Sequence, residues 1–335
     1  MKAPLVSMVM PAHNAEATIA EAIASCLSQT MEEFELLVML DGCTDRSAQI
    51  ANGFADSRLR VFAHKDGPKG VAWASNELME RASAPLIARM DADDLSRPGR
   101  LKAQCNLLAH DESLHGVTGK VHLLNPQGDG MQRYVDWVNG LHTPEDVLRE
   151  RFVECPLVQP SLMLRREALV DAGGYREIDW AEDHDLFLRM LERDLRFGKV
   201  DDLVLDWRDS ATRLTRNHPA YAAEQVWKMK AHYLARLPEV QEKGVAICGA
   251  GPIGKRLAKL LREEGALLHG FFEVNPRRIG AQIGGVPVAG PEEFGTRWRE
   301  AVLLSAVGVE GGRERVRALA VGAGYLEGAD FWCCC

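Results

Sequence analysis

Between residues 5 and 90 short apolar runs alternate with amphipathic stretches, and the runs break on polar residues. Runs 5–10, 34–40, 59–63 and 85–90 read as strands. Ile19, Ile23, Cys26 and Leu27 recur at helical spacing, and helices are predicted over 47–54 and 71–81. Strands alternating with helices build βαβ units, so the fold class is α/β with a mainly parallel central sheet flanked by helices. Ligands of such sheets bind beyond the carboxyl ends of the strands. Asn14, Asp41 and the cluster Asp91, Asp93 and Asp94 all stand at such ends. Three strands thus deliver polar groups to one edge.

The run "LIARMDADDLSRPGRL", residues 86–101, puts three carboxylates directly after an apolar strand. Like charges repel at close range, so the cluster needs something positive beside it. A hard divalent cation takes oxygen ligands and keeps phosphate oxygens in its shell. The competing reading is a solvated acidic turn in which Asp94 caps the next helix. Position after a core strand favours the cation. A second acidic pair, Glu182 and Asp183, opens a helix predicted over 181–193. The helix dipole favours ionised carboxylates there, and an aspartate so placed can accept a proton from a hydroxyl; simple capping is the alternative. Asp185 reads as structural and His184 as a packed histidine.

A chain of 335 residues exceeds one ordinary core, so two domains are expected. The boundaries read as 1–236, a polar linker at 237–243, and a second, smaller α/β unit at 244–335. A net charge of -8 argues against a nucleic-acid partner, whose phosphates demand a basic face. No apolar run approaches about 18 residues, so no transmembrane helix is expected. The N-terminal stretch lacks the pattern of a signal peptide. Eight cysteines without a CxxC pair argue against zinc or a disulfide framework and for a cytoplasmic chain with reduced thiols. Cys333, Cys334 and Cys335 fit no prenylation signal and read as a frayed, exposed tail.

The segments "VSMVMPAHNAEATIAEAIASCLSQT", "LDGCTDRS", "ARMDADD", "GGYRE" and "AEDHDLFLRML" occur in this order. Together they resemble glycosyltransferase family 2, whose members have the GT-A fold, over roughly residues 4–235. The resemblance implies an inverting transferase that moves a sugar from a nucleotide-diphospho-sugar, a UDP-sugar first of all, to an acceptor hydroxyl with Mg²⁺ or Mn²⁺. It implies that Pro11, Ala12, His13, Asn14 and Asp41 line the base and ribose pocket, with Gly70 and Asn76 on the donor side. Asp91 and Asp93 match the DxD motif, Asp93 as the direct metal ligand. Asp183 matches the catalytic base, with Glu182 beside it. Where many members carry a histidine after Tyr-Arg-x, this chain has Ser210, and His218 is the nearby substitute as third metal ligand. Polysaccharide or glycoconjugate synthesis follows, with a saccharide or lipid-linked acceptor and peripheral contact at the inner face of a membrane.

In the second unit Gly249, Gly251 and Gly254 form a GxGxxG between a strand and a helix, where backbone amides meet phosphate. Glu273 ends the next strand, where a dinucleotide site places its ribose acid. NAD is therefore one reading. The segment also resembles the small Rossmann-like domain preceding the repeats of sugar O- and N-acetyltransferases, which implies a nucleotide or nucleotide-sugar pocket, or a vestigial fold used for packing or homodimerisation. Two alternatives to the transferase stay open here: a nucleotide-sugar sensor without chemistry, and an NAD-dependent sugar-nucleotide oxidoreductase.

Overall fold

The structure, a computed structural model, describes residues 3–211 and 213–335. It divides into two compact units: the chain up to Val147 with Pro156–Asn217, and Leu148–Cys155 with His218–Cys335. The first holds strands β1 (Val6–Ala12), β2 (Phe34–Asp41), β3 (Leu59–His64), β4 (Leu86–Arg89), β5 (Leu95–Ser96), β6 (Leu114–Leu124), β7 (Met163–Arg165) and β8 (Arg196–Arg208). They form one sheet in the order β3-β2-β1-β4-β7-β6-β8-β5. β3, β2, β1 and β4 run parallel, as the alternation predicts. β7 enters antiparallel to β4, and β6 antiparallel to β7, so the sheet is mixed beyond the fourth strand.

Every residue of β1 and β2 is buried, which is why both read as nearly continuous apolar runs rather than alternating ones. The polar exceptions satisfy each other: the Ser7 hydroxyl donates to Glu35 Oε1 at 2.7 Å, and the Ser83 amide and hydroxyl donate to the same oxygen at 2.8 and 2.7 Å. The helix Val71–Arg81 forms where its periodicity places it. The helix Ile19–Leu27 buries Ile19, Ile23 and Cys26 of the stripe that marked it, together with Ala22, and leaves Leu27 half-buried.

The second unit holds β9 (Val245–Cys248), β10 (Leu268–Phe272), β11 (Gln282–Ile283), β12 (Val286–Ala289), β13 (Val302–Ser305) and β14 (Phe331–Cys333). Their order is β11-β12-β10-β9-β13-β14. Without the hairpin strand β11, all pairs are parallel, and the order is that of a doubly wound nucleotide-binding sheet.

Three expectations are corrected here. The linker at 237–243 is instead largely helix, Pro238–Lys243, with Val240 buried. The unit boundary is not a single cut, because Leu148–Cys155 belongs with the C-terminal residues. The cysteine tail is not frayed: Cys333 closes β14 beside β13, and Cys333 and Cys334 are both fully buried. Phe331 and Trp332 carry this segment into the core, and the polar character of thiols is too weak to oppose that.

The buried ammonium of Lys230 explains how the segment 148–155 is held. It donates to Val153 O at 2.8 Å and to Cys334 O at 3.2 Å. Glu150, also buried, takes an ion pair from Arg317 at 2.8 Å, and Phe152 stacks edge-on to Trp332 at 5.5 Å. A Lys230→Met substitution keeps the apolar stem and leaves two buried carbonyls without a donor. It is expected to destabilise this unit by about 1–3 kcal/mol, read as a lower denaturation midpoint; an unchanged midpoint would show that the lysine holds nothing.

Candidate active site

The carboxyl ends of β1 and β2 are tied into one loop platform. His13 Nδ1 lies 2.6 Å from Asp41 O, and Asn14, with φ 46°, accepts the Thr44 amide on Oδ1 at 2.8 Å. The Ala15 amide donates to Ser47 Oγ at 2.8 Å, and the Glu16 amide to Asp45 Oδ2 at 2.9 Å. Pro11 and Ala12 are the buried last residues of β1 rather than its terminators. Asp41 is buried, and its carboxylate accepts the amides of Lys69 at 3.0 Å and Gly70 at 2.8 Å. It thus shapes the loop at 67–70 as well as standing at the edge. Gly42 is required there: a Cβ on it would lie 2.4 Å from Pro68 N, at a φ of +59°. Asn76 spends its side-chain amide on another loop, donating to Tyr175 O at 2.8 Å and accepting the Tyr175 amide at 2.9 Å.

β4 delivers the acidic cluster. Asp91, Asp93 and Asp94 place one carboxylate oxygen each within 4.8 Å of one another. Fully buried Arg100 fixes the strand end, donating to Arg89 O at 2.7 Å and Leu162 O at 3.3 Å. Arg89, also buried, pairs with Asp91 at 2.7 Å. From β8, the Arg208 amide donates to Asp94 Oδ1 at 2.7 Å and its Nε to Asp93 O at 2.8 Å. Arg213 lies over the Trp207 ring at 4.2 Å. Burial, and then the Asp91 charge, push Asp93 up to about 6, against the pull of Arg213 and Arg208. Asp94 is pushed well above the carboxylate range by burial and then by Asp93 and Asp91. Its Oδ2 is buried with no hydrogen-bond partner.

These residues fit a divalent cation. The donor set is all oxygen, and one buried carboxylate oxygen waits for a partner. Asp94 therefore stands with Asp91 and Asp93 and does not cap a helix. His218 is not in this grouping. It caps its own turn, Nδ1 accepting the Ala220 amide at 3.3 Å with its ring 6.3 Å from Tyr221.

The helix Glu182–Leu191 begins with the second acidic pair. Asp183 Oδ1 accepts the His184 amide at 2.7 Å. Burial, then Glu182, and further down Asp91, raise Asp183 to about 7. The two acidic groups thus feel each other. Asp185 is structural: its Oδ2 pairs with Arg189 at 2.8 Å and its Oδ1 accepts Trp180 Nε1 at 3.0 Å. Arg189 in turn donates to the carbonyls of Ala172 and Gly174, which seats the Gly-Gly-Tyr loop beside the helix Glu182–Leu191. His184 is buried, 6.2 Å from the Phe187 ring. Sequence reasoning missed Arg89, Tyr175 and Arg213. Arg208 was in view only as part of a stretch searched for histidine.

In the C-terminal unit Gly254 permits close packing, since a Cβ there would lie 1.8 Å from Gly249 O. Gly249 takes a φ of +100°, and a Cβ on Gly251 would meet open space. Glu273 is already engaged: Oε2 accepts Arg278 Nη1 at 2.8 Å and the Ala250 amide at 3.3 Å, and Oε1 accepts the amides of Val274 and Asn275 at 2.9 and 3.1 Å. That leaves little of it for a ribose.

The sheet edge gathers a loop platform, an acidic triad and an aspartate on a following helix, the arrangement expected of a glycosyltransferase of GT-A architecture, and the comparisons agree. S. aureus TarS 1-349, solved in complex with UDP-GlcNAc, superposes with a TM-score of 0.58 at 19% identity, covering 76% of this chain and 71% of that one. The glycosyl transferase family 2 profile matches residues 7–172, and the chain belongs to that family. The putative glycosyltransferase EpsE of Bacillus subtilis is 29% identical over 66% of this chain and 79% of its own length. The O-antigen biosynthesis glycosyltransferase WbnJ of Escherichia coli is 27% identical over 61% of this chain and 79% of its own. Escherichia coli WfgD, a UDP-Glc:alpha-D-GlcNAc-diphosphoundecaprenol beta-1,3-glucosyltransferase, is 38% identical over 36% of this chain and 47% of its own.

Proposed function

We propose that this glycosyltransferase inverts the anomeric centre as it moves a sugar from a nucleotide-diphospho-sugar, a UDP-sugar first of all, to a saccharide hydroxyl in polysaccharide or glycoconjugate synthesis. The observation that carries the reading is the pairing of two acidic groups at one sheet edge: the triad Asp91, Asp93 and Asp94, and Asp183 within electrostatic reach of Asp91. The platform of His13, Asn14 and Asp41 receives the nucleoside. Asp91, Asp93 and Asp94 would hold Mg²⁺ or Mn²⁺, which when bound would supply positive charge against that of a departing diphosphate. Arg208 and Arg213 supply fixed positive charge beside the same group. Asp183 takes the proton of the attacking acceptor hydroxyl, and attack opposite the leaving diphosphate inverts the carbon. Glu182 keeps Asp183 basic by its own negative charge. The name of WbnJ supports surface-polysaccharide chemistry, and that of WfgD a lipid-linked acceptor. The open Gly251 face leaves room for a second nucleotide at the C-terminal unit, while the engaged Glu273 argues against NAD.

A thermal-shift panel of UDP-, GDP-, CMP- and dTDP-sugars and NAD(H), with and without Mn²⁺, tests this. Ligand at about a hundredfold excess over Kd adds about 2.7 kcal/mol to the folded state. One nucleotide sugar is expected to raise the midpoint with Mn²⁺ and to lose that effect in Asp93→Ala. A response to NAD(H) alone, indifferent to Mn²⁺ and to Asp93, would sink the proposal.

A further inference from the structure

The C-terminal unit carries a solvent-open groove of about 520 Å³ between the helix Pro252–Glu263 and the β11–β12 hairpin. Its floor is apolar, formed by Ala258, Phe271 and Ile283, and its rim carries three cations, Lys255, Lys259 and Arg262, against one carboxylate, Glu263. The three cations recur at i, i+4 and i+7, so one helix face presents them together. Arg262 is committed to the wall, donating to Gly284 O at 2.6 Å. Lys259 has only a loose pair with Glu263 at 3.7 Å, with most of its side chain exposed. No side-chain partner of the Lys255 ammonium occurs among the described residues. Bulk charge does not explain this face, since the whole chain is at -8. Residues 218–335, however, hold 15 Lys and Arg against 13 Asp and Glu.

We propose that this groove docks the chain on an anionic membrane, with a lipid phosphate between Lys255 and Lys259 and the start of an acyl chain over Ile283 and Phe271. The apolar floor selects the lipid over a free ion. A hydrated inorganic phosphate gains nothing from Phe271 and Ile283, whereas a lipid gains from both the charge and the apolar floor. An amphiphile uses both halves of the groove, as interfacial helices do. Docking of this kind would hold the chain where a lipid-linked acceptor lies, but it stands on the groove alone and does not depend on the identity of donor or acceptor.

The test is co-sedimentation of the full chain with vesicles of phosphatidylcholine alone and of phosphatidylcholine mixed with phosphatidylglycerol. Binding is expected only to the mixed vesicles and weakens with salt. Each cation near an anionic surface contributes about fivefold in affinity, so Lys255→Gln with Lys259→Gln should weaken binding roughly thirtyfold. The charge-matched pair Lys102→Gln with Lys228→Gln, neither of which lines the groove, should change it far less. Ile283→Ser, which leaves the charge unchanged, should also weaken it. Equal binding by the two lysine pairs, or no loss in Ile283→Ser, would overturn the proposal. So would absent vesicle binding together with a midpoint rise in inorganic phosphate that the Lys255/Lys259 pair loses, which marks a small-anion site. The donor-dependent thermal shift should persist in every variant, so failure here is separable from failure of the transferase reading.

Discussion

Asp183→Asn should abolish transfer and stabilise the fold at the same time. Removing a positioned general base costs about 10²- to 10⁴-fold in rate. The amide keeps the shape of the carboxylate and its acceptor oxygen toward the His184 amide. What it removes is charge in a desolvated setting beside Glu182. The sign follows from linkage. Burial raises Asp183 to about 7, from a model-peptide range near 4. Between those values the folded chain holds a proton that the unfolded chain has released. The group's contribution is therefore fully present at low pH and is lost as pH rises toward 7. At pH 8 the wild type carries this cost and Asp183→Asn does not, a gain on the order of 1–2 kcal/mol for the variant. The same ionisation gives the wild type a rate that climbs with pH on a limb near 7, because the base works only when deprotonated. Paired denaturation curves and transfer assays at pH 5.5 and pH 8 check both effects. A variant less stable than wild type at pH 8, or one that keeps a tenth of the rate, would remove Asp183 from the role of base.

The parallel half of the sheet was legible because burial on both faces leaves an unambiguous apolar run at β1, β2 and β4. β8 was not. It extends over 13 residues from Arg196 to Arg208, but Asp201 and Asp202 interrupt it, and its pairing with β6 shifts register between Gly119 and Val121. A strand that irregular has no period for the eye to find. The helix Asp129–Asn139 was hidden for a related reason, since the glycines at 128 and 130 read as a turn before any apolar stripe appears. At the tail, thiols were weighed as reactive groups when their packing as small apolar side chains decided the outcome.

At the site, residues near in sequence were found and residues brought in by the fold were not. Asp91, Asp93 and Asp183 announce themselves through local patterns of acid after strand or at helix start. Arg208 reaches the triad only because β8 lies beside β5, an antiparallel pair of Leu95 with Asp206 and Ser96 with Leu205 that no local pattern signals. Tyr175 is similar: Asn76, 99 residues away, clamps its backbone. A third carboxylate, Asp94, stands with Asp91 and Asp93 and follows them directly in sequence.

That third carboxylate makes the second large effect. With Mn²⁺ or Mg²⁺ in excess, the denaturation midpoint should rise by about 5 °C or more, and the rise should be larger at pH 8 than at pH 5.5. Asp93 is raised to about 6 and Asp94 well above its ordinary range, so both contribute stability at low pH that is lost as pH climbs through those values. A cation that binds the ionised forms restores what was lost and releases protons as it does so. At pH 5.5 the protons compete, and the gain shrinks. Asp94→Asn keeps the oxygen that accepts the Arg208 amide and deletes one charge. The variant should start from a higher midpoint than wild type in chelator at pH 8 and gain much less from Mn²⁺. Calorimetry in buffers of different ionisation enthalpy reads the proton release independently of any sugar or activity. A midpoint rise of equal size at both pH values, or one untouched by Asp94→Asn, would mean that the cation binds elsewhere. In that case Arg89, Arg100, Arg208 and Arg213 would balance three carboxylates at the end of β4, and the cluster would be a fold constraint rather than a site.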